Sequence, residues 1–368
     1  MEQKTYSNQK YPTLEINLNK VQENIKYMVD LCSAKGISVA GVVKGFNAMP
    51  EVVEQFASAG CSYIASSRMD QIIKLAGYGI DKPLMMIRIP MFSEIEELVE
   101  FASISLNSEL ETLDIIESEC EVQGKKHKVI LMLDLGDLRE GVMDEEEFIN
   151  LAVYVENHLK NVKLYGVGTN LGCYGAIKPT VENLGRLCRV AEIIESKINR
   201  KLEMISGGAT SSLPLVIDGK MPKRVNNLRI GEGALLAKDL EEFWGYDMKN
   251  LHNDTFVLKA QVVEIKNKPT HPIGKIFIDA FGNTPTYKDS GIRKRALLAV
   301  GKQDFGSHDK LIPQKQGVKI VGSSSDHLII DIEDCSVETK LGDILCFLMY
   351  YPPMMYLSGY LGITKKII

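Results

Sequence analysis

The 368-residue sequence predicts a TIM-like (β/α)8 barrel followed by a second, mostly β domain. Short apolar strands alternate with helices about eight times over roughly 230 residues, and beyond about Asp239 strands and turns continue without a long helix. An open doubly wound sheet is the alternative for the first part, because periodicity does not show closure. We therefore expect a barrel domain over residues 1–238 and a β-domain over 239–368.

The elements follow from the pattern of apolar residues. Apolar and polar residues alternate in a first strand at 13–18, Asn19 is expected to cap the next helix, and Gly36 to end it. Further strands are expected near 37–43, 61–65, 83–88, 103–106, 128–134, 162–170 and 204–206, and helices near 50–59, 68–77, 93–102, from 110 (capped by Asn107 or Ser108), 145–159, 179–198 and from Thr210. In the β-domain, strands are expected at 256–265, 274–278, 296–300, 318–321, 327–332 and 344–350.

Composition excludes several classes of protein. The chain is 45% hydrophobic and 25% charged with a net charge of -5, which is ordinary for a soluble protein and offers no basic surface for nucleic acid. The polar N-terminus predicts no secretory signal, and Pro352-Pro353 interrupts the apolar tract 344–361, which favours sheet strands over a membrane span. Seven scattered cysteines and six dispersed histidines predict reduced thiols, a cytoplasmic location and no metal site.

Lys44 is the first candidate for chemistry. It follows the apolar stretch Ser38–Val43, and the carboxyl ends of barrel strands form the face on which active sites are built. Partial burial there lowers the pKa of an ammonium and frees the amine to form a Schiff base. A lysine that only caps the strand and extends into solvent is the alternative.

Four further segments lie where strands of the first domain should end: Asp134–Gly141, Asn170, Ser206–Ser211 and Asn227–Gly233. The last is interpreted as a turn that its glycines permit. Glycines allow close backbone approach, and the N–H groups at a helix start together with the Thr210 and Ser211 hydroxyls would hold a phosphate. An ordinary helix cap is the alternative for Ser206–Ser211. A reactive lysine and a phosphate cradle on one face indicate pyridoxal phosphate.

Five motifs in this order resemble the alanine-racemase-type barrel of fold-type III pyridoxal phosphate proteins. They are Val-Val-Lys44, Asp134-x-Gly-x-x-Arg139-x-Gly, Gly166-x-Gly-Thr169-Asn170, Ser206-x-Gly-x-Thr210 and Arg229-Ile-Gly231. Segments 299–304 and 321–331 resemble two parts of that family's β-domain, so the likeness covers nearly the whole chain. It is greatest for the branch whose characterised activity is ornithine racemisation.

The resemblance implies roles for individual residues. Lys44 would bind the cofactor covalently and carry the proton for one face of the substrate, while Arg229 would face the pyridine nitrogen. A guanidinium stays protonated, so that nitrogen would stay unprotonated, and the weaker electron sink favours racemisation over transamination. Arg139 would hold the substrate carboxylate and the cofactor phenolate, with a surface charge beside Glu140 as the alternative. Thr210, Ser211, Gly231 and the N–H of Glu232 would hold the phosphate.

Three positions depart from the family pattern. Asn170 replaces a histidine stacked near the ring, and Ala48 replaces a phosphate-binding tyrosine. Lys302 replaces the tyrosine that the partner subunit delivers to the second face of the substrate. Inversion at Cα needs a proton removed from one face and supplied to the other, so another acid or base must act. Lys302 and Tyr360 are the two candidates.

The resemblance implies racemisation of a basic amino acid, with L- and D-ornithine expected first. A distal ammonium needs a carboxylate partner when it loses water. Asp304, Ser325 and Asp326 are the β-domain candidates, although either aspartate could simply close a turn; Glu232 is a weaker candidate. If those segments reach a neighbouring subunit's site, the enzyme is a homodimer with shared sites.

Other activities stay open at this stage. Racemisation of lysine, arginine or alanine is the nearest alternative, although loss of the tyrosine argues against alanine. A non-catalytic pyridoxal phosphate carrier also resembles the Arg229-Ile-Gly231 segment, but such carriers are single barrels. A fold-type III decarboxylase is disfavoured because no matching cysteine-plus-aspartate motif is present.

Overall fold

A computed structural model describes residues 9–368 and divides them into two compact units. One unit comprises residues 19–252 and the other comprises 9–18 with 253–368. The chain therefore divides elsewhere than at the predicted boundary, 238/239. The short helix that begins at Asp239 stays with the first unit, and the N-terminal strand joins the second.

The strands and helices are numbered in chain order. The strands are β1 Thr13–Ile16, β2 Ser38–Val42, β3 Tyr63–Ser66, β4 Leu84–Met86, β5 Ile104–Asn107, β6 His127–Met132, β7 Val162–Gly168, β8 Met204–Ser206, β9 Asn227–Ile230, β10 Phe256–Pro269, β11 Ile292–Leu298, β12 Leu311–Pro313, β13 Lys319–Ser323, β14 Leu328–Asp331, β15 Ile344–Met349 and β16 Thr364–Ile367. The helices are α1 Leu18–Ser33, α2 Pro50–Ser58, α3 Met69–Gly77, α4 Ile95–Phe101, α5 Leu110–Gln123, α6 Glu145–His158, α7 Val181–Ile198, α8 Leu213–Ile217, α9 Glu232–Leu235, α10 Asp239–Glu242, α11 Lys302–Phe305 and α12 Tyr351–Gly359.

Strands β2 to β9 close into a parallel barrel, which confirms the predicted fold and excludes the open sheet. Closure occurs between β2 and β9, where Ser38 pairs with Asn227 and Ala40 with Arg229. Apolar side chains pack together inside the unit, and each large one that is fully buried stabilises the fold by about 1.5–3 kcal/mol. They include Val42, Met85, Leu106, Ile130, Met132 and Met204. Closure brings the carboxyl ends of all eight strands to one rim.

Two segments have a different place from the one predicted. The strand at 13–18 is not part of the barrel, because β1 pairs with β10 and β16 in the β-domain. The segment 227–230, interpreted as a turn, is the eighth barrel strand β9. Its polar residues Asn227 and Arg229 resemble turn residues in the sequence, yet both are buried and hydrogen-bonded inside the barrel.

The predicted side-chain caps of two helices are absent. Helix α1 begins at Leu18, so Asn19 lies inside it. Asn107 is the last residue of β5 and donates to Ser105, while Glu109 precedes α5 without a side-chain cap bond. Gly36 does follow α1 with a left-handed φ of +71°, as expected of a residue that ends a helix.

The second unit contains a sheet in the order β12-β15-β10-β11-β14-β13, with β1 on β10 and β16 on β1. The predicted strand at 274–278 is irregular chain, and its side chains Phe277 and Ile278 are exposed. The second half of the apolar tract 344–361 is the helix α12, because proline fits the first turn of a helix. Across residues 9–368, no helix is both long enough and apolar enough to cross a membrane.

Candidate active site

Lys44 lies two residues after the end of β2, at the rim of the barrel, and begins a single 3-10 turn that ends at Phe46. Asn47 and Ala48 follow with left-handed φ values of 54° and 46°, so the chain turns sharply away after the lysine. Burial lowers the pKa of the Lys44 ammonium, and the positive charge of Arg139 lowers it further. These are the conditions under which a lysine amine becomes a nucleophile and a proton acceptor.

Arg229 projects from β9 and is only 4% exposed. Its guanidinium donates to the Ser206 Oγ at 2.5 Å, to the Thr169 carbonyl at 2.8 Å and to the Asn170 Oδ1 at 3.5 Å. Burial lowers the pKa of Arg229 to about 10, so the side chain stays charged at neutral pH. The β7, β8 and β9 ends are thereby joined around one buried cation, with Asn170 beside it.

Arg139 follows β6 and pairs with its neighbour Glu140. The Arg139 Nη2 donates to the Glu140 Oε1 at 2.6 Å, the Nε faces the other carboxylate oxygen, and Nη1 donates to the Cys173 Sγ at 3.3 Å. The side chains are 38% and 15% exposed, respectively. Arg139 therefore has the partner that the surface-charge alternative expected, while its charge also acts on Lys44.

Two glycine-containing turns carry the residues that were predicted to hold a phosphate. The Thr210 Oγ1 accepts the Gly233 N–H at 3.3 Å, and a Cβ added to Gly233 would lie 2.7 Å from the Thr210 Cγ2. Gly231 lies against Val42 on β2, where an added Cβ would be 3.2 Å from the Val42 Cβ. The Ser211 hydroxyl donates to the Leu171 carbonyl at 2.7 Å. Gly231 lies against β2, the strand that precedes Lys44, and two residues after Arg229, so its turn belongs to the same rim. The backbone N–H groups and hydroxyls of these turns are the donor types that suit a phosphate.

Asp137 is a residue that the sequence reasoning missed. It is 1% exposed, and its carboxylate accepts backbone N–H groups from the loop after β7. The donors are Gly172 at 3.1 Å, Cys173 at 3.2 Å, Tyr174 at 3.1 Å and Ile177 at 3.3 Å. The sequence signal for this role was its place in the Asp134-x-Gly-Asp137 turn. In such turns a short aspartate side chain accepts hydrogen bonds from nearby backbone N–H groups. Asp137 thus positions the loop that carries Cys173 beside Arg139.

Replacing Asp137 with asparagine should lower the free energy of unfolding by about 1.5–3 kcal/mol, because an amide turns a donor toward N–H groups that need an acceptor. Urea unfolding followed by circular dichroism measures the change. Asp81→Asn, at an exposed position, is the control and should stay within about 0.5 kcal/mol of the parent protein. Equal midpoints for Asp137→Asn and Asp81→Asn would contradict the positioning role.

Glu232, whose amide was predicted to bind phosphate, has a buried carboxyl group. Neither oxygen has a hydrogen-bond partner of good geometry among residues 9–368. Burial, with the negative charge of Asp239 nearby, raises the pKa of Glu232 to about 8. The raised pKa favours the protonated, neutral form, which does not pair with a substrate ammonium.

This raised pKa predicts a pH-dependent stability. Folded Glu232 keeps its proton up to about pH 8, whereas an unfolded glutamate loses it near its ordinary value of 4.5. The folded state therefore binds more protons in this range, and stability falls as the pH rises from about 4.5 to about 8. Glu232→Gln should reduce that fall in denaturant titrations at several pH values, and the exposed control Glu100→Gln should not. Identical pH slopes for the two variants would contradict the assignment.

The remaining candidates lie in the β-domain unit. The Lys302 N–H donates to the Ser324 carbonyl at 2.9 Å, and the Lys302 Nζ lies 3.6 Å from the centre of the Phe281 ring. Ser325 and Asp326 are exposed, and the Gln303 amide donates to Asp326 at 3.0 Å. The fold thus brings segments 301–305 and 323–326 together, and their role in substrate binding stays a prediction.

Asp304 and Tyr360 lie in environments that differ from those of the other β-domain candidates. Asp304 is 6% exposed, and its Oδ2 accepts the Gly301 N–H at 2.7 Å. It therefore closes the first turn of α11, which is the alternative that the sequence left open. Tyr360 follows α12 and is 40% exposed.

Comparison with known proteins agrees with this architecture. The family described as "Alanine racemase, N-terminal domain" matches residues 16–237. The chain is 42% identical to the ornithine racemase of Acetoanaerobium sticklandii over 346 residues, which is 94% of this chain and 96% of that protein. It is 36% identical to the lysine racemase of Thermotoga maritima over 341 residues, covering 93% and 94% of the two chains.

A solved structure shares the fold. The alanine racemase of Clostridium difficile 630 superposes with a TM-score of 0.73 at 18% identity, covering 97% of this chain and 96% of that one. The resemblance expected from the five sequence motifs is confirmed. The chain belongs to the alanine racemase family of pyridoxal phosphate-dependent racemases.

Proposed function

We propose that this enzyme racemises a basic amino acid, with L- and D-ornithine as its main substrates. The observation that carries the proposal is Lys44, an amine of lowered pKa at the barrel rim whose neighbours are Arg139 and Arg229. The relatives named ornithine racemase and lysine racemase support a substrate with a distal ammonium. Racemisation of lysine, arginine or alanine is the alternative within the same chemistry.

The proposed mechanism assigns one task to each residue. Bound pyridoxal phosphate supplies the electron-withdrawing ring that stabilises negative charge at Cα. Lys44 holds the cofactor and then accepts the Cα proton at its Nζ on one face of the substrate. Arg229, buried and charged on β9, would face the ring of the bound cofactor. Thr210, Ser211, Gly231 and the N–H of Glu232 would hold its phosphate. Arg139 binds the substrate carboxylate through its planar guanidinium.

The opposite face needs a second proton carrier. Lys302 and Tyr360 are proposed for this task, since each has a titratable group that can donate a proton to Cα. In this proposal both come from the β-domain of a second copy, so the active form is a homodimer with shared sites. Exposed apolar side chains of the β-domain, Ile273 at 93% and Phe277 at 77%, support a protein contact there. Sedimentation equilibrium should give twice the chain mass, and a fully active monomer would refute the shared site.

We also propose that the enzyme works in the cytoplasm. All seven cysteines lie in the described part of the chain and are free thiols, which suits a reducing compartment. Fractionation of the source cells with antibody detection tests this, and recovery from the secreted fraction would refute it.

Loss of optical rotation tests the activity. The purified protein with pyridoxal phosphate is incubated separately with L-ornithine, L-lysine, L-arginine and L-alanine. Rotation should fall fastest with ornithine. If rotation is retained with all four while the cofactor stays bound, the racemase assignment fails and a non-catalytic cofactor carrier takes its place.

A further inference from the structure

A racemase for diamino acids needs a carboxylate that pairs with the distal ammonium, and the structure engages the carboxylates first considered for this in other ways. Asp304 closes the first turn of α11 through the Gly301 N–H. Glu232 is buried, and burial raises its pKa and favours the neutral acid. Asp326 accepts from Gln303 at 3.0 Å and from the Ser325 hydroxyl at 2.7 Å.

Glu140 is a carboxylate of the barrel unit with a different environment. It is 15% exposed and follows directly after Arg139, whose guanidinium it holds through both carboxylate oxygens. Its negative charge partly offsets the burial that lowers the pKa of Lys44 and of Arg229, so it acts on the cations proposed to surround the reacting centre. The carboxylate is thus within the electrostatic reach of Lys44, and its bound partner is the arginine proposed to receive the substrate carboxylate.

We propose that Glu140 selects substrates with a distal ammonium by an exchange of ion pairs. When a diamino acid binds, Arg139 releases Glu140 and pairs with the substrate carboxylate, and Glu140 pairs with the distal ammonium. One internal pair is replaced by two pairs between protein and substrate, and no charge is left without a partner. The exchange forms no covalent bond and moves no proton. It rests on the proposed function, because it names the residue that selects basic substrates.

The exchange also explains how a neutral side chain is rejected. An amino acid without a distal ammonium would draw Arg139 away and leave the mostly buried Glu140 carboxylate unpaired. An unpaired charge in a partly dry site is unfavourable, so discrimination arises from the wrong substrate as much as from the right one. The Arg139 contact with Cys173 at 3.3 Å can persist while Glu140 is released, since it uses a different nitrogen of the guanidinium.

The test compares L-ornithine with L-norvaline, which has the same carbon chain without the distal ammonium. In the parent enzyme kcat/KM should favour ornithine. Glu140→Gln should lower the ornithine-to-norvaline ratio of kcat/KM by about tenfold to a hundredfold, which corresponds to the loss of one charged hydrogen bond. Glu140→Asp keeps the charge on a shorter side chain and should restore part of the ratio. Circular dichroism and cofactor absorbance establish that each variant is folded and loaded.

Two control variants separate the alternatives. Glu145→Gln removes a glutamate at the start of α6 that pairs with Arg186 of α7 at 2.5 Å. This change should leave the substrate ratio unchanged. If Glu140 only orients Arg139, Glu140→Gln lowers kcat/KM for both substrates equally and the ratio stays constant, which overturns the proposal. A ratio that falls in Asp326→Asn but not in Glu140→Gln also overturns it and assigns the selection to Asp326.

Failure of the inference is distinct from failure of the proposed function. If the parent enzyme racemises ornithine but the ratio does not respond to Glu140→Gln, only the role of Glu140 is lost. If the loaded parent enzyme racemises neither ornithine nor norvaline, the proposed function fails, and the role of Glu140 falls with it.

Discussion

Replacing Lys44 with alanine is expected to abolish racemisation, with a loss of at least about 10³-fold in kcat, because in the proposed mechanism the same amine holds the cofactor and carries the proton. Polarimetry with L-ornithine measures the activity. The absorbance band of the cofactor near the visible edge should also disappear after dialysis of Lys44→Ala, since no other proposed residue bonds to the aldehyde covalently.

The control is Lys35→Ala, which changes an exposed lysine in the turn after α1. It should keep both the band and the rate. Circular dichroism should be alike for both variants, which separates a loss of chemistry from a loss of fold. A band that survives dialysis in Lys44→Ala would refute the assignment of this residue.

Replacing Arg229 with methionine is expected to lower both stability and activity. The change removes the donors to the Ser206 Oγ and the Thr169 carbonyl in a site that is 4% exposed, and should cost about 2–4 kcal/mol in the free energy of unfolding. It also removes the charge proposed to face the cofactor ring, so kcat should fall by about 10²-fold or more. Denaturant titration and polarimetry measure the two effects separately.

Arg68→Met is the matched control for Arg229→Met. Arg68 is 67% exposed and lies 3.3 Å from Asp70, and an exposed pair of this kind contributes about 0–1 kcal/mol. Arg229→Lys keeps the charge without the planar fork and should fall between the parent protein and Arg229→Met in stability. If Arg229→Met unfolds at the same denaturant concentration as Arg68→Met, the buried hydrogen bonds do not stabilise the barrel as argued.

Most of the barrel could be predicted from local sequence because its strands are short apolar runs between amphipathic helices. Lys44 was found in the same way, as the one charged residue that ends such a run at 38–43. Strand β1 and the last barrel strand, β9, could not be placed by this reasoning. Strand β1 has the pattern of any half-buried strand, and its partner β10 lies more than 200 residues away along the chain.

The candidate site was likewise predicted only in part from the sequence. Arg229 was expected on the resemblance, but its segment was interpreted as a turn because Asn227, Arg229 and Gly231 have the composition of one. Only barrel closure supplies the partners Ser206 and Thr169 that let this arginine be buried in a strand. Asp137 was missed because its hydrogen-bond donors begin 35 residues later, at Gly172.

The sequence by itself determined the repeated strand–helix units, the change to a β-domain, Lys44 and the order of the five motifs, because these depend on periodicity and short spacing. Tertiary structure alone decided which strands close the barrel and what surrounds each buried carboxyl group. Asp304, Glu232 and Glu140 have similar chemistry in the sequence. Burial and hydrogen-bond partners make the first a turn closure, the second a neutral acid and the third the partner of Arg139, and these properties depend on residues that only the folded chain brings together.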